Sequence, residues 1–463
     1  MREVEQASDP EAKDSEAGEP PRQLGFLTAF SLVVASMVGT GVFTTTGLLT
    51  KDVPSPTGIL LCWTVGGLAA LCGAFAYAEL GAAFPHSGGE YQFLARLMHP
   101  AVGFLSAFVS LIVGFAAPLA AIALAFGQYL TAMGVPVDPR LSGGALVVGL
   151  SVLNAWRVSA GAKFQNVFTL GKLLVIAAFV LFGLPRGTWA NLDVGPGLAA
   201  VVPTPGFAVG LLWVSFAYTG WNAAAYVAGE VAEPAKVLPR ALVLGTLVVT
   251  ALYVALNLVF LVGAPFDALA GQVAVGTVAA KHLFGAAGGQ VLSGIIALGL
   301  VSTVGAVLVT GPRIYEAVGK DVPRLAFLAR RSPQGGPVYG VALQAALALV
   351  MMLTASFDQL LIYIGFTLSI FGALAVACVF ILRRRGIAMP YRMPAFPLPP
   401  LVFLALMLWM IVSGIVERPV AAAFGAGTLV LGLVAYALAG GAPVVARPAE
   451  VIDATKPPAG GLD

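Results

Sequence analysis

Twelve long apolar stretches constrain the fold of this chain more than any motif does. They run approximately over residues 24–49, 57–78, 101–133, 141–156, 164–184, 206–228, 241–264, 287–311, 337–357, 359–382, 399–416 and 419–440. Each is long enough, or nearly so, to cross a bilayer as a helix, and none alternates as a barrel strand does. Lipid offers no partners to bare backbone polar groups, which also favours helices. The sequence therefore predicts an all-α membrane protein with about 12 spans, numbered here in chain order.

The basic residues are distributed unevenly between the loops. With the amino terminus inside, the cytoplasmic segments carry 19 Lys and Arg, and the outside loops carry 5. This asymmetry satisfies the positive-inside rule. It predicts a multi-pass protein of the inner (plasma) membrane with both termini cytoplasmic. Residues 1–23 are acidic and polar, and residues 441–463 are rich in Pro and Ala, so both are predicted to be disordered tails beside a transport domain over residues 24–440.

Several function classes are excluded by what the chain lacks. Its 3 cysteines, Cys62, Cys72 and Cys378, all lie inside apolar spans, so no disulfide or zinc site is expected. No phosphate-cradling Gly-Lys-Ser/Thr sequence appears, which removes ATP as the direct energy source. No nucleophile–base pair or metal cluster marks an enzyme. We expect no cofactor, no metal and no nucleic-acid partner, and a solute that moves by gradient or exchange.

One charged side chain lies inside an apolar span. Lys172 is the ninth residue of span 5, about 12 Å into a hydrocarbon core about 30 Å thick. Burial of a lysine there costs at least about 2.5–3.5 kcal/mol, so such residues usually face a cavity on an ion or substrate path. The alternative is a lysine whose stem snorkels to the membrane interface.

Glycines interrupt spans 1 and 6 near their middles, at residues 36–43 and 216–222. Glycine weakens a helix by about 1 kcal/mol relative to alanine. A broken helix exposes amide groups that suit a carboxylate and carbonyl groups that suit an ammonium, so a facing pair of breaks fits an amino acid. The alternative is that these small residues only permit close helix packing. The position of each break, in the first helix of a five-helix half, is that of an inverted repeat.

Four segments resemble a known family. Residues 38–43 resemble the first-helix signature of amino acid permeases in the amino acid–polyamine–organocation superfamily, and residues 77–91 resemble the loop after its second helix. Residues 221–240 and 165–174 are similar to the L-type amino acid transporter branch. The resemblance implies a LeuT-type fold with broken helices 1 and 6. Repeat one would cover about 24–184, repeat two about 206–382, and helices 11 and 12 about 399–440.

The same resemblance implies roles for individual residues. The expected substrate-binding residues are Val38, Gly39, Thr40, Gly41, Phe216, Ala217, Thr219 and Asn222. Amides of the first group would bind the carboxylate, carbonyls near the second would receive the amino group, and Phe216 would be an aromatic gate. Core packing remains open for Phe216, Tyr218 and Trp221.

Lys172 matches a lysine whose ammonium occupies the sodium region of sodium-coupled relatives. Ser302 and Thr303 fall where those relatives place hydroxyl ligands, so the resemblance implies sodium independence and a role of Lys172 in proton coupling. The animal members pair with a glycoprotein through an extracellular cysteine. This chain has no cysteine in its outside loops, so no covalent heavy-chain partner is expected.

The substrate class follows from charge inside the spans. No carboxylate lies inside any span, which favours a neutral amino acid over a cationic one. The leading prediction is a sodium-independent amino acid transporter that works by alternating access, as an exchanger or a proton symporter. Two alternatives stay open: a carrier of cationic amino acids, polyamines or other organic amines on the same fold, and a receptor that binds amino acids without net transport.

Overall fold

Helices form most of the described chain. The computed structural model describes residues 24–156, 161–321, 323–331 and 337–440. The spans are Phe26–Leu49, Pro56–Ala83, Pro100–Ala132, Pro139–Trp156, Gly161–Gly183, Pro205–Tyr218 with Ala223–Tyr226, Pro234–Gly263, Val275–Asp321, Val338–Thr354, Phe357–Arg384, Leu398–Glu417 and Pro419–Leu438. The predicted all-α architecture is confirmed. The predicted tails, 1–23 and 441–463, lie outside the described residues.

Spans 1 and 6 are broken at the predicted positions. Span 1 consists of Phe26–Met37, named half-helix 1a, and Gly41–Leu49, named 1b. Span 6 consists of Pro205–Tyr218, named 6a, and Ala223–Tyr226, named 6b. Gly220 in the second break has a φ of 100°, a conformation that glycine adopts without strain from a side chain.

Span 8 is longer than its apolar run. The helix covers Val275–Asp321, and Gly285, with φ 79° and ψ 178°, separates its first ten residues from the rest. The prediction began this span at residue 287. The piece before Gly285 contains the polar residues Lys281 and His282, so it was not counted as part of the apolar run.

A short amphipathic helix, Glu90–Leu97, follows span 2 and is named the loop helix. It packs against the beginning of span 3 and against span 10. Gly88 and Gly89 precede it with φ values of 126° and 52°. Only glycine adopts both conformations readily, so this pair fixes the direction in which the loop helix begins.

A buried ion pair anchors span 2 to span 10. The carboxylate of Glu79 is fully buried and accepts hydrogen bonds from Nε and Nη2 of Arg383, each at 2.7 Å. The backbone amide of Met393 donates to the same carboxylate at 2.7 Å. The Arg383 guanidinium also lies 3.7 Å above the ring of Phe396. Bidentate geometry and a third donor satisfy Glu79, so its role is structural.

We expect Glu79→Gln to lower the melting temperature of the purified protein clearly, because it leaves Arg383 without its charged partner. Breaking a buried pair costs about 3–5 kcal/mol, and the 22% exposure of Arg383 favours the lower end. Glu233→Gln is the matched control, because its pair with Lys236 is exposed and contributes little. Equal shifts in the two variants, measured by thermal unfolding in detergent, would contradict this anchor.

Candidate functional site

The two helix breaks pack against each other through their backbones. A Cβ atom at Gly41 would lie 2.4 Å from the Cα of Ala217. A Cβ atom at Gly220 would lie 2.7 Å from the carbonyl carbon of Ser36. Real side chains cannot occupy either space. The glycines therefore let half-helix 1b approach the end of 6a, and the end of 1a approach the break in span 6.

A tyrosine from span 7 connects the two breaks. The hydroxyl of Tyr253 donates to the carbonyl of Met37 and contacts that of Ala217 at 3.3 Å. Because a hydroxyl has one proton, the two carbonyls share it. The ring is fully buried and packs against Trp63 and Tyr218. Tyr253 was not among the predicted site residues, although it is a polar group in the middle of an apolar span.

The predicted carboxylate-binding residues form the break before half-helix 1b and its first turn. Val38, Gly39 and Thr40 separate 1a from 1b, and Gly41 is the first residue of 1b. The amide of Gly39 donates to the carbonyl of Met37 at 2.7 Å in a tight turn. The first amides of a helix lack intrahelical acceptors and carry partial positive charge. This end of 1b is therefore suited to an anion.

The predicted carbonyl groups lie at the end of half-helix 6a. The carbonyl of Phe216 accepts hydrogen bonds from the amide and the hydroxyl of Thr219, at 3.1 and 2.7 Å. The carbonyl of Ala217 accepts from Tyr253. A ligand ammonium would therefore add to these hydrogen bonds or replace them. The side chain of Phe216 is buried, with 5% exposed.

Lys172 lies between the first break and span 8. Its Nζ donates to the hydroxyl of Thr303 at 2.7 Å, and that hydroxyl donates to the carbonyl of Gly299 at 3.0 Å. Lys172, Thr303, Gly39 and Phe43 line a cavity of about 20 Å³, which is room for one water molecule. The ammonium is directed into the bundle, not along a snorkelling path. Ser302 is buried next to Thr303.

Asn222 binds a carboxylate that the sequence analysis did not consider. Its Nδ2 donates to Oε1 of Glu90 at 3.0 Å, and the hydroxyl of Tyr77 donates to the same oxygen at 2.6 Å. Burial raises the pKa of Glu90 above the ordinary glutamate value, although both hydrogen bonds oppose the shift. Glu90 escaped notice because it lies outside every apolar run. The sequence feature that could have identified Glu90 is its position directly after two glycines.

Two aromatic residues of span 6 have core roles. The hydroxyl of Tyr218 donates to the carbonyl of Trp63 at 2.9 Å, and its side chain is buried. Trp221 packs edge-on against Tyr77, with 4.7 Å between ring centroids. Both side chains therefore make packing contacts within the bundle.

One family model, described as amino acid permease, matches residues 24–438. The matched stretch contains both broken helices and the lysine beside them. The chain belongs to the amino acid permease family. This permease is 31% identical over 394 residues to the serine/threonine exchanger SteT of Bacillus subtilis (strain 168), covering 83% of this chain and 89% of that one. It is 26% identical over 451 residues to the large neutral amino acids transporter small subunit 2 of Mus musculus, covering 93% and 83%.

A third relative, the b(0,+)-type amino acid transporter 1 of Homo sapiens, is 25% identical over 414 residues, covering 86% of this permease and 83% of the relative. These matches confirm the predicted superfamily and the likeness to the L-type branch. They also make the permease a multi-pass membrane transporter of amino acids and not an enzyme, as predicted.

We expect Gly41→Ala to destabilise the permease, because the added methyl meets the backbone of Ala217 and not a flexible side chain. Overpacking of this kind costs about 1–3 kcal/mol. Gly305→Ala in span 8 is the control, because nothing lies within 4 Å of its added Cβ atom. Melting temperatures and the monodisperse fraction on size-exclusion chromatography measure the difference. A Gly41→Ala protein as stable as Gly305→Ala would contradict the close approach of the breaks.

Tyr253→Phe should weaken substrate binding more than it weakens the fold. The loss of one net hydrogen bond costs about 0.5–1.5 kcal/mol of stability, but it also releases Met37 and Ala217 from their fixed separation. Substrate-induced thermal shift and the half-saturating substrate concentration for exchange measure the effect. Tyr339→Phe, at a side chain 49% exposed, should leave both unchanged. Wild-type half-saturation in Tyr253→Phe would argue against this positioning role.

Proposed function

We propose that this permease is a sodium-independent carrier of neutral amino acids that works by alternating access. The observation that supports this most is the hydrogen bond from Lys172 to Thr303 beside the first break. An ammonium in that position supplies the positive charge that a sodium ion would bring to the same oxygen atoms. The carrier then needs no sodium to hold span 1 near span 8. The Bacillus relative is an exchanger, which favours exchange over proton symport.

The neutral substrate class rests on the charges around the breaks. A zwitterion would place its carboxylate at the first amides of half-helix 1b and its ammonium at the carbonyl end of 6a. A cationic side chain would need a further acceptor. The buried carboxylate beside the sixth-span break, Glu90, already accepts hydrogen bonds from Tyr77 and Asn222. Cationic amino acids and other organic amines are therefore the second candidate class.

Alternating access requires that the ends of the half-helices separate in turn. At one end, Leu24 exchanges backbone hydrogen bonds with Glu230 and Ala232, at 2.9 and 3.0 Å. At the other, the amide of Gly271 donates to the carbonyl of Gly47 at 2.6 Å. The positive-inside pattern assigns the Leu24 end to the cytoplasm of the cell and the Gly271 end to the outside.

Counterflow in sodium-free proteoliposomes tests this function. Vesicles are loaded with unlabelled alanine, leucine, arginine or putrescine, and uptake of the matching labelled solute is followed. We expect accumulation with alanine or leucine. Accumulation only with arginine or putrescine would favour the second candidate class, and dependence on added sodium would overturn sodium independence.

We expect Lys172→Ala to abolish sodium-free counterflow, because nothing then supplies the charge beside Thr303. Lys281→Ala, at an exposed lysine in the first piece of span 8, before Gly285, is the matched control and should exchange at the wild-type rate. A substrate-induced thermal shift in Lys172→Ala separates a folded but inactive carrier from a misfolded one. Wild-type exchange by a folded Lys172→Ala protein would remove the lysine from the working cycle.

A further inference from the structure

The loop before Glu90 is fitted closely onto half-helix 6b. The amide of Gly88 donates to the carbonyl of Tyr226 at 3.0 Å. A Cβ atom at Gly89 would lie 3.0 Å from the Tyr226 ring, and one at Gly229 would lie 3.0 Å from the hydroxyl of Ser87. The absence of side chains at these three glycines thus allows the backbone of the loop to lie close to the Tyr226 ring and to the backbone that follows half-helix 6b. Movement of half-helix 6b relative to this loop would therefore break these contacts.

The carboxylate of Glu90 joins three elements at this contact. It lies at the start of the loop helix, and its Oε1 accepts from Tyr77 of span 2 and from Asn222 in the sixth-span break. The ring of Tyr77 is held edge-on between Phe93 and Trp221, with centroids at 5.7 and 4.7 Å. The phenol therefore points at the carboxylate from a fixed position. Separation of half-helix 6b from span 2 would break this arrangement.

The partners of Glu90 are neutral. Tyr77 and Asn222 donate to it, and Tyr226 is the other titratable group that faces it. Among the described residues, no Lys, Arg or His lies within ion-pair distance of its carboxylate. The charged and thiol groups of span 10 that reach the loop helix, Arg385 and Cys378, contact the backbone carbonyls of Arg96 and Phe93 and not the carboxylate of Glu90. At the start of span 3, His99 accepts from the amide of Ala101.

We propose that Glu90 is a proton-binding site that controls the separation of half-helix 6b from span 2 and the loop helix. This inference rests on the proposed transport function. With a proton on the carboxyl group, the closed contact holds no uncompensated charge. When the proton leaves, a charge remains that only two hydrogen bonds stabilise, and hydration of that charge favours the open arrangement.

The direction of the effect follows from linkage. Burial raises the pKa of Glu90 in the closed arrangement, so the closed arrangement binds the proton more tightly than an open, hydrated one does. Protonation must then favour the closed arrangement by the same factor. Exchange should therefore be slow at acid pH, and should become faster as pH rises through a range above the ordinary glutamate pKa.

The test is alanine counterflow across a pH series, with equal pH inside and outside the vesicles so that no proton gradient exists. We expect a several-fold rise in the wild-type rate with pH. Glu90→Gln, which is neutral at every pH, should stay near the acid rate of the wild type throughout. Glu233→Gln, at an exposed acid after half-helix 6b, should keep the wild-type profile. A Glu90→Gln profile that rises as the wild-type profile does would overturn the proposal.

Tyr77→Phe provides a second readout that a general loss of activity would not produce. It removes the hydrogen bond at 2.6 Å that stabilises the charged form, so the midpoint of the pH profile should move upward by about one to two pH units. An unchanged midpoint would make Glu90 a structural acceptor only, and the proposal would fail. Absence of wild-type counterflow at every pH would instead overturn the proposed transport function.

Discussion

The contact between the two helix breaks is the constraint on which the rest of the site depends. Backbone meets backbone where Gly41 faces Ala217 and where Gly220 faces Ser36, so the separation of the exposed amides and carbonyls is set without adjustable side chains. An α-amino acid carries its two charges on one carbon, and only a matching separation can hold both. The hydroxyl of Tyr253 adds a contact from span 7 to both breaks.

The buried ionisable groups divide into two kinds by the charge of their partners. Glu79 meets the opposite charge of Arg383, so a change in its protonation would leave a buried cation unpaired. Lys172 and Glu90 meet only neutral donors and acceptors. Loss or gain of a proton at either leaves no uncompensated partner. The first kind anchors helices, and the second kind lies beside the helix breaks.

Local signals made the spans, the breaks and Lys172 predictable from the sequence. An apolar run can be recognised without information about the residues that it contacts in the fold, and so can the pair of glycines around Thr40. Glu90 and Tyr253 were missed because their hydrogen-bond partners are distant in the sequence and become neighbours only in the folded chain. The loop helix buries an acid that looks solvated in the sequence, and the helical piece before Gly285 was hidden by its own polar residues. The sequence pattern also could not predict that the carbonyls of Phe216 and Ala217 already accept hydrogen bonds within the protein.

The two breaks have related backbones but opposite chemistry around them. Beside the break in span 1, where helix amides favour a carboxylate, the chain places the cation Lys172 in a cavity shared with Gly39. Beside the break in span 6, where carbonyls favour an ammonium, it places the acid Glu90 on Asn222. In a medium of low dielectric constant such charges act over many ångströms. Under the proposed function, a zwitterion between the breaks would be oriented by the field of these two groups as well as by direct hydrogen bonds, and a proton on Glu90 would weaken that field at the ammonium end.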